Sequence, residues 1–444
     1  MARNTQVIRR SYWEITLTVC LLCICAVTVV APLLMVFWRG LQLPAPATTT
    51  YIVTVVRATL WQASLSTVVA AGVALPIAWA MVHAPGRLAT AVHLLIGVPF
   101  VMPTPVVAAM FAMLCAPQSW CATALRIEIP QGLALVVLVH VWYNICIVVR
   151  MVVERWLRIR GRYTAAAATL GASAWQRFLS IEWPLIRPAF VAGLTLIFLY
   201  CIGSFGVILL LGGGAVPSLE VETWRQTSQL LRLDVAASLA FVQLVMSYAL
   251  LVVSDTLQRH TDAVSAVRPW QSATRGTHMI AVCVLWLGLV LLVMPFVVLF
   301  ARLFAVDMQA IWPAIWQPVR GSGLLLSPIA AMMRSVVIAV LVAVLTVATG
   351  WIASSIDRRV RVLTMLPMGI SAVTLGLGYL LWFGRWGQLT AWWLIIVAHV
   401  VIALPLVTRH LTSARDQMTG FYRSVRSEEH TSELQSRQYL VCRL

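Results

Sequence analysis

Residues 163–189 read YTAAAATLGASAWQRFLSIEWPLIRPA, and the fold follows from this stretch. The alanine run Ala165–Ala168 favours helix. Gly171 suits the left-handed position just past a helix end. Ser173 suits the N-cap of a second helix, with Gln176 where a capping box places Gln or Glu. Pro184 disfavours helix at Trp183 and closes that segment. Pro188 opens a long apolar run, where a missing N–H costs little. The pattern predicts helix, elbow, helix: a basic, amphipathic hook that joins two apolar segments.

Around the hook the chain is strongly apolar. Of its 444 residues, 61% are hydrophobic and 11% charged. A soluble domain carries about 25% charged residues. With a mean hydropathy of +0.90 the chain is expected to be an all-α polytopic membrane protein. A span needs about 20 apolar residues. Ten segments qualify: Ile15–Trp38, Leu60–Val82, Ala89–Cys115, Leu133–Val153, Ala189–Leu211, Val235–Val253, Met279–Leu303, Ile329–Ala353, Val362–Phe383 and Ala391–Leu406. The first is too long for a signal peptide and lacks a clear cleavage site.

The 32 basic residues are all arginine. Without lysine there is no P-loop and no Schiff-base chemistry, so any ATP hydrolysis belongs to a separate subunit. The net charge of +17 sits in short segments between spans, which reads as topology and not as a nucleic-acid surface. Arg9, Arg10, Arg87, Arg155, Arg177, Arg187, Arg259, Arg358 and Arg409 fall on one set of alternating loops. The positive-inside rule makes that set, and the N-terminus with it, cytoplasmic. The nine cysteines show no zinc spacing, and Cys115 and Cys121 flank one outer loop as a disulfide or as two thiols. No metal set, nucleophile constellation or cofactor motif stands out, so the chain reads as a transporter and not as an enzyme.

The chain repeats itself. His140, Arg150 and Tyr163 recur as His399, Arg409 and Tyr422, each displaced by 259 residues. Pro99 and Pro367 hold comparable places at a changed offset. Two fused halves follow: 1–257 with six helices and the elbow, and 278–425, incomplete, joined by a polar cytoplasmic linker at 258–277. Phe421–Val425 begins a second elbow. Residues 426–444, starting Arg426-Ser427-Glu428-Glu429-His430-Thr431-Ser432-Glu433-Leu434, then read as translated sequencing adaptor.

The hook resembles the signature of the permease subunits of ABC importers: Glu-Ala-Ala, three residues, Gly, nine residues, Ile-x-Leu-Pro. Ala166, Ala167, Gly171, Ile181 and Pro184 stand in register, with Ala172 and Ser173 inside the motif. Ala165 replaces the usual Glu and Trp183 the usual Leu. The resemblance implies that this is a coupling helix, docking one of two copies of a separate ATPase. It also implies an extracytoplasmic binding protein as partner, besides membrane lipid, and a location in the bacterial inner membrane. His140–Asn144, Glu182-Trp183-Pro184, Gly203-Ser204-Phe205-Gly206 and Leu211–Gly214 with Leu219–Glu222 are similar to the fused permeases of thiamine importers. Fused ferric-iron permeases are similar too, so thiamine or a thiamine phosphate is the favoured cargo and a ferric or other small cation the alternative. A secondary transporter is the rival from another class. The lack of Asp or Glu in the middle of any span speaks against it, and also leaves a cationic cargo without a counter-charge.

Other residues carry two readings. His140 is a packing residue between helices or a contact of the pathway. Gly212, Gly213 and Gly214 make a tight outer turn or receive a partner. Glu220 and Glu222 form a solvated outer face or touch that partner. Arg150 snorkels to the interface or pairs with Glu154.

Overall fold

The computed structural model describes residues 12–42, 46–84, 86–116, 129, 131–159, 167, 169–259, 275–305, 307–318, 326–356, 364–384 and 392–441. Among them the regular structure is helical, and eight helices are long and apolar enough to cross a membrane. The chain opens with α1 (Thr16–Gly40) and α2 (Thr48–His83), followed by the short α3 (Arg87–Leu95), α4 (Val98–Val101) and α5 (Thr104–Cys115). Next come α6 (Leu133–Ile159), α7 (Ala174–Ile202), α8 (Gly206–Leu211), α9 (Leu219–Ser228) and α10 (Leu233–Arg259). The remaining long elements are α11 (Arg275–Ala305), α12 (Pro328–Ser355), α13 (Ala372–Phe383) and α14 (Trp392–Val441).

Three of the ten expected spans are not continuous helices. Ala89–Cys115 breaks at Met102-Pro103, where α3–α4 and α5 meet at 109°. Pro103 lacks the N–H that would continue the ladder, and Met102 is extended. Ala189–Leu211 ends as helix at Ile202, and the chain unwinds before α8. Val362–Phe383 reduces to a 3-10 turn at Leu366–Gly369 and the twelve residues of α13. The first and third breaks share one local geometry. The Met102 N–H donates to the Pro99 carbonyl at 3.1 Å, and the Ile370 N–H donates to the Pro367 carbonyl at 3.0 Å. Both donors are extended residues just past a proline turn, so the repeat extends to the backbone.

The contacts gather the chain into two compact units, Phe37–Pro313 and Met1–Val36 with Ala314–Leu444. The larger unit thus takes in α11, the first helix after the linker, while the smaller takes in most of α1. In the larger unit, Ala63, Ala70, Ala74 and Ala78 form a buried small-residue stripe on α2. Against it lies the valine-rich face of α6, including Val136, Val139, Val148, Val149 and Val152. Small side chains let helices approach closely, which supplies the packing that lipid does not. Ala281 and Leu285 bring α11 into the same core. In the smaller unit Leu21 and Cys25 of α1 pack with Ala353, Ile356 and Leu404. Tyr163, Ala166, Cys121 and 260–274 lie outside the described residues, as do the side chains of 419–444.

Candidate functional site

The elbow is built by two backbone devices in succession. Gly171 has φ +79°, and the Ala172 N–H reaches back to the Ala167 carbonyl at 3.1 Å. This six-to-one bond closes the first helix end. Ser173 then caps α7 reciprocally: its Oγ accepts from the Gln176 N–H at 3.3 Å, and the Gln176 Oε1 accepts from the Ser173 N–H at 2.9 Å. The cap leaves Leu170 87% and Trp175 67% exposed, two large apolar side chains on either side of the turn. Ile181 is half-buried, Pro184 exposed, and Ala167 buried.

A π turn at Phe178–Glu182 separates the cap from the rest of α7. It aims Glu182 inward, where the carboxylate accepts from the Trp156 indole. Trp175 stacks on Phe178 at 5.9 Å, Phe178 lies 6.0 Å from Trp156, and Trp156 meets His83 edge-on at 6.0 Å. The elbow is therefore tied through aromatic rings to α6 and α2. Arg150 does not pair with Glu154, which instead bonds Arg158 one turn further on. Arg150 lies against Gly97 and donates to the His93 carbonyl at 3.4 Å.

A cavity of about 650 Å³ opens at the break between α7 and α8. His140 lines it and is pinned on both sides. Its Nδ1 hydrogen-bonds the Ser66 hydroxyl at 3.1 Å and its Nε2 the Ser204 hydroxyl at 2.8 Å. The Asn144 amide donates to the His140 carbonyl at 3.0 Å. Facing them are three rings: Tyr143, which the sequence reading quoted only as part of the stretch His140–Asn144, and Phe100 and Tyr200, which it did not single out. Phe100 meets Tyr200 edge-on at 5.6 Å and Tyr143 at 6.4 Å. The Tyr143 hydroxyl donates to the Met102 carbonyl, so the break after Pro99 positions that ring. A signal was present: Tyr143 lies one helical turn from His140, and Tyr200 just precedes Gly203-Ser204-Phe205-Gly206. His399, the counterpart of His140, is exposed, and its Nδ1 meets the Ile395 carbonyl of its own helix at 2.7 Å.

Gly212, Gly213 and Gly214 form a tight turn, the last two at φ +59° and +73°. Next to it, the Gly132 N–H donates to the Leu211 carbonyl at 2.9 Å. The reading of Glu220 and Glu222 as a solvated face is overturned: they are 1% and 5% exposed. Both lie on α9, which folds back along α10 and α2. Ser218 caps α9 through the Val221 N–H at 3.3 Å, and the Leu219 N–H donates to Thr59 Oγ1 at 3.0 Å. Glu222 accepts from the Tyr51 hydroxyl and pairs with Arg225 at 3.3 Å. Glu220 accepts from the Gln243 side chain. Gln243 lies ten residues into α10, roughly 15 Å along its axis at 1.5 Å per residue. Counting carboxylates on the spans alone missed this one, which a short helix delivers to the flank of a span.

Residues 72–263 match the family described as binding-protein-dependent transport system inner membrane component. The chain is 26% identical over 407 residues to the thiamine transport system permease protein ThiP of Escherichia coli (strain K12), covering 84% of this chain and 72% of that one. It is 31% identical over 162 residues to the molybdenum transport system permease protein ModB of Azotobacter vinelandii, covering 36% of this chain and 72% of that one. A bacterial ABC transporter involved in the import of the acidic polysaccharide alginate aligns with 57% of this chain and 98% of its own, at a TM-score of 0.46 and 14% identity. The matched segment contains both the elbow and the cavity, and the chain belongs to the binding-protein-dependent transport system inner membrane components, the multi-pass permeases of ABC importers.

Proposed function

We propose that this permease moves thiamine inward, driven by ATP hydrolysis on two copies of a separate ATPase subunit. The elbow carries the reading. A capped turn at Gly171 and Ser173 holds Leu170 and Trp175 out into solvent, the form expected of a docking knob for a partner cleft. Ala166, Ala167, Gly171, Ala172, Ser173, Ile181 and Pro184 make up this coupling element, and rings from Trp175 to His83 connect it to the bundle. The arginine distribution supports placing it, and the N-terminus, on the cytoplasmic side. The turn at Gly212–Gly214 then faces outward, towards an extracytoplasmic binding protein. Thiamine is favoured because relatives similar over most of this chain carry that name.

A molybdenum-bearing ligand is the second reading, favoured by the higher identity of the shorter ModB match. Uptake of labelled thiamine and of molybdate by proteoliposomes that hold permease, ATPase and binding protein separates the two. ATP-dependent accumulation of thiamine supports the first. Accumulation of molybdate alone supports the second.

A further inference from the structure

The cavity at the α7–α8 break is walled by aromatic rings and polar side chains, and no arginine, aspartate or glutamate is among its lining residues. Phe100 from α4, Tyr143 from α6 and Tyr200 from α7 line it, and Phe100 and Tyr200 are 39% and 47% exposed. The ring planes of Phe100 and Tyr200 stand at 73° to each other, and those of Phe100 and Tyr143 at 61°. Rings tilted in this way do not stack on one another, which leaves ring faces for a further flat ring to lie against.

Asn144 adds a polar group of defined direction. It lines the same cavity while only 5% exposed. Its Nδ2 donates to the His140 carbonyl at 3.0 Å, and a carbonyl only accepts, so the amide is fixed with Oδ1 on the opposite edge. Among the described residues no donor reaches Asn144 Oδ1, and the atom is not sealed inside protein. His140 beside it has both ring nitrogens engaged by serine hydroxyls. A mostly buried acceptor of this kind selects for a ligand that brings an N–H or O–H to it.

We propose that this cavity binds a flat nitrogen heterocycle bearing an amino group: Phe100, Tyr143 and Tyr200 hold the ring faces, and Asn144 Oδ1 accepts from the amino N–H. The amino hydrogens of such a heterocycle lie in the ring plane, so stacking and the hydrogen bond are made together. The inference rests on the thiamine reading and deepens it, since thiamine carries an aminopyrimidine ring. It assigns recognition at this point to that ring and not to the cationic thiazolium.

The test is competition against labelled thiamine bound to the purified permease–ATPase complex without binding protein. Pyrithiamine keeps the aminopyrimidine and replaces the thiazolium, whereas oxythiamine has a carbonyl where thiamine has the amino group. In the wild type, pyrithiamine is expected to compete about as well as thiamine, and oxythiamine about tenfold less well, the scale of one hydrogen bond left unmade. Asn144→Leu is expected to abolish the preference for thiamine over oxythiamine. Tyr200→Ala is expected to weaken all three ligands alike and keep the preference, so a change in folding alone does not imitate the Asn144 result. The wild-type series needs no substitution. If oxythiamine competes there as well as thiamine, or if Asn144→Leu keeps the preference, while the full complex still imports thiamine, this inference is overturned and the functional reading stands. If the full wild-type complex imports no thiamine, both fall.

Discussion

The indole N–H of Trp156 donates to the carboxylate of Glu182 at 2.9 Å, joining the end of α6 to the elbow in a place sealed from water. Trp156→Phe keeps most of the ring packing and removes the donor. A hydrogen bond to a charged group contributes about 2 kcal/mol, so the permease should unfold at a lower temperature in detergent. Fewer cargo molecules should also be carried per ATP hydrolysed, because the elbow loses a fixed attachment. An unchanged thermal midpoint together with unchanged coupling would argue that this bond transmits nothing.

Gly171→Val should abolish association with the ATPase while leaving membrane insertion intact. A Cβ at Gly171 meets nothing within 4 Å, so the effect is conformational and not steric. A left-handed β-branched residue costs at least about 1–2 kcal/mol. Gly171→Asn, which tolerates that conformation, should restore association, and Ser173→Ala should weaken it by about 1 kcal/mol. Co-purification of the ATPase with each variant reads the series. Equal recovery from Val and Asn would contradict the assignment.

His140→Leu removes the bridge between Ser66 and Ser204, and weakening the bonding of the buried Ser66 hydroxyl costs about 1–3 kcal/mol. The break beside the cavity should loosen, with a raised KM for uptake and a lower thermal midpoint. His399→Leu is expected to be neutral within about 0.5 kcal/mol, because His399 is exposed and bonds its own helix. Equal effects from the two histidines would contradict the placement of His140.

Tyr51→Phe takes one donor from the buried Glu222 and leaves Arg225 as its charged partner. A stability loss of about 1.5–3 kcal/mol should follow, with ATPase association unchanged, because α9 lies far along the chain from the elbow. Loss of ATPase binding in this variant would show that α9 and the elbow act together.

How much of this was legible in the sequence depended on the range of the interaction. The turn of the elbow could be read residue by residue, because a left-handed Gly171 and a Ser173–Gln176 box are decided within a few positions, but its far end could not: Trp183 is helical, and α7 runs on through Pro184 and Pro188 where the sequence reading ended a segment. Span lengths were legible for the same reason, since hydropathy is local. The pairing of Glu154 was not, because Arg150 and Arg158 stand one turn away on either side and tertiary packing chose between them. The burial of Glu220 and Glu222 was hidden for another reason. A short polar segment between spans reads as solvated unless its partners are known, and Tyr51 and Gln243 lie far away in the chain. Phe100, Tyr143 and Tyr200 come from three separate elements and become a group once the breaks at Met102-Pro103 and Gly203 bend the backbone around them.

The central claim is that a Gly171-hinged hook receives force from another polypeptide and passes it to a bundle without fuel of its own. Thiamine uptake into proteoliposomes that hold the permease and binding protein, with and without the ATPase subunit and ATP, tests it most directly. Accumulation is expected when both ATPase and ATP are present, and none when either is missing. Concentrative uptake by the permease without the ATPase would contradict the account.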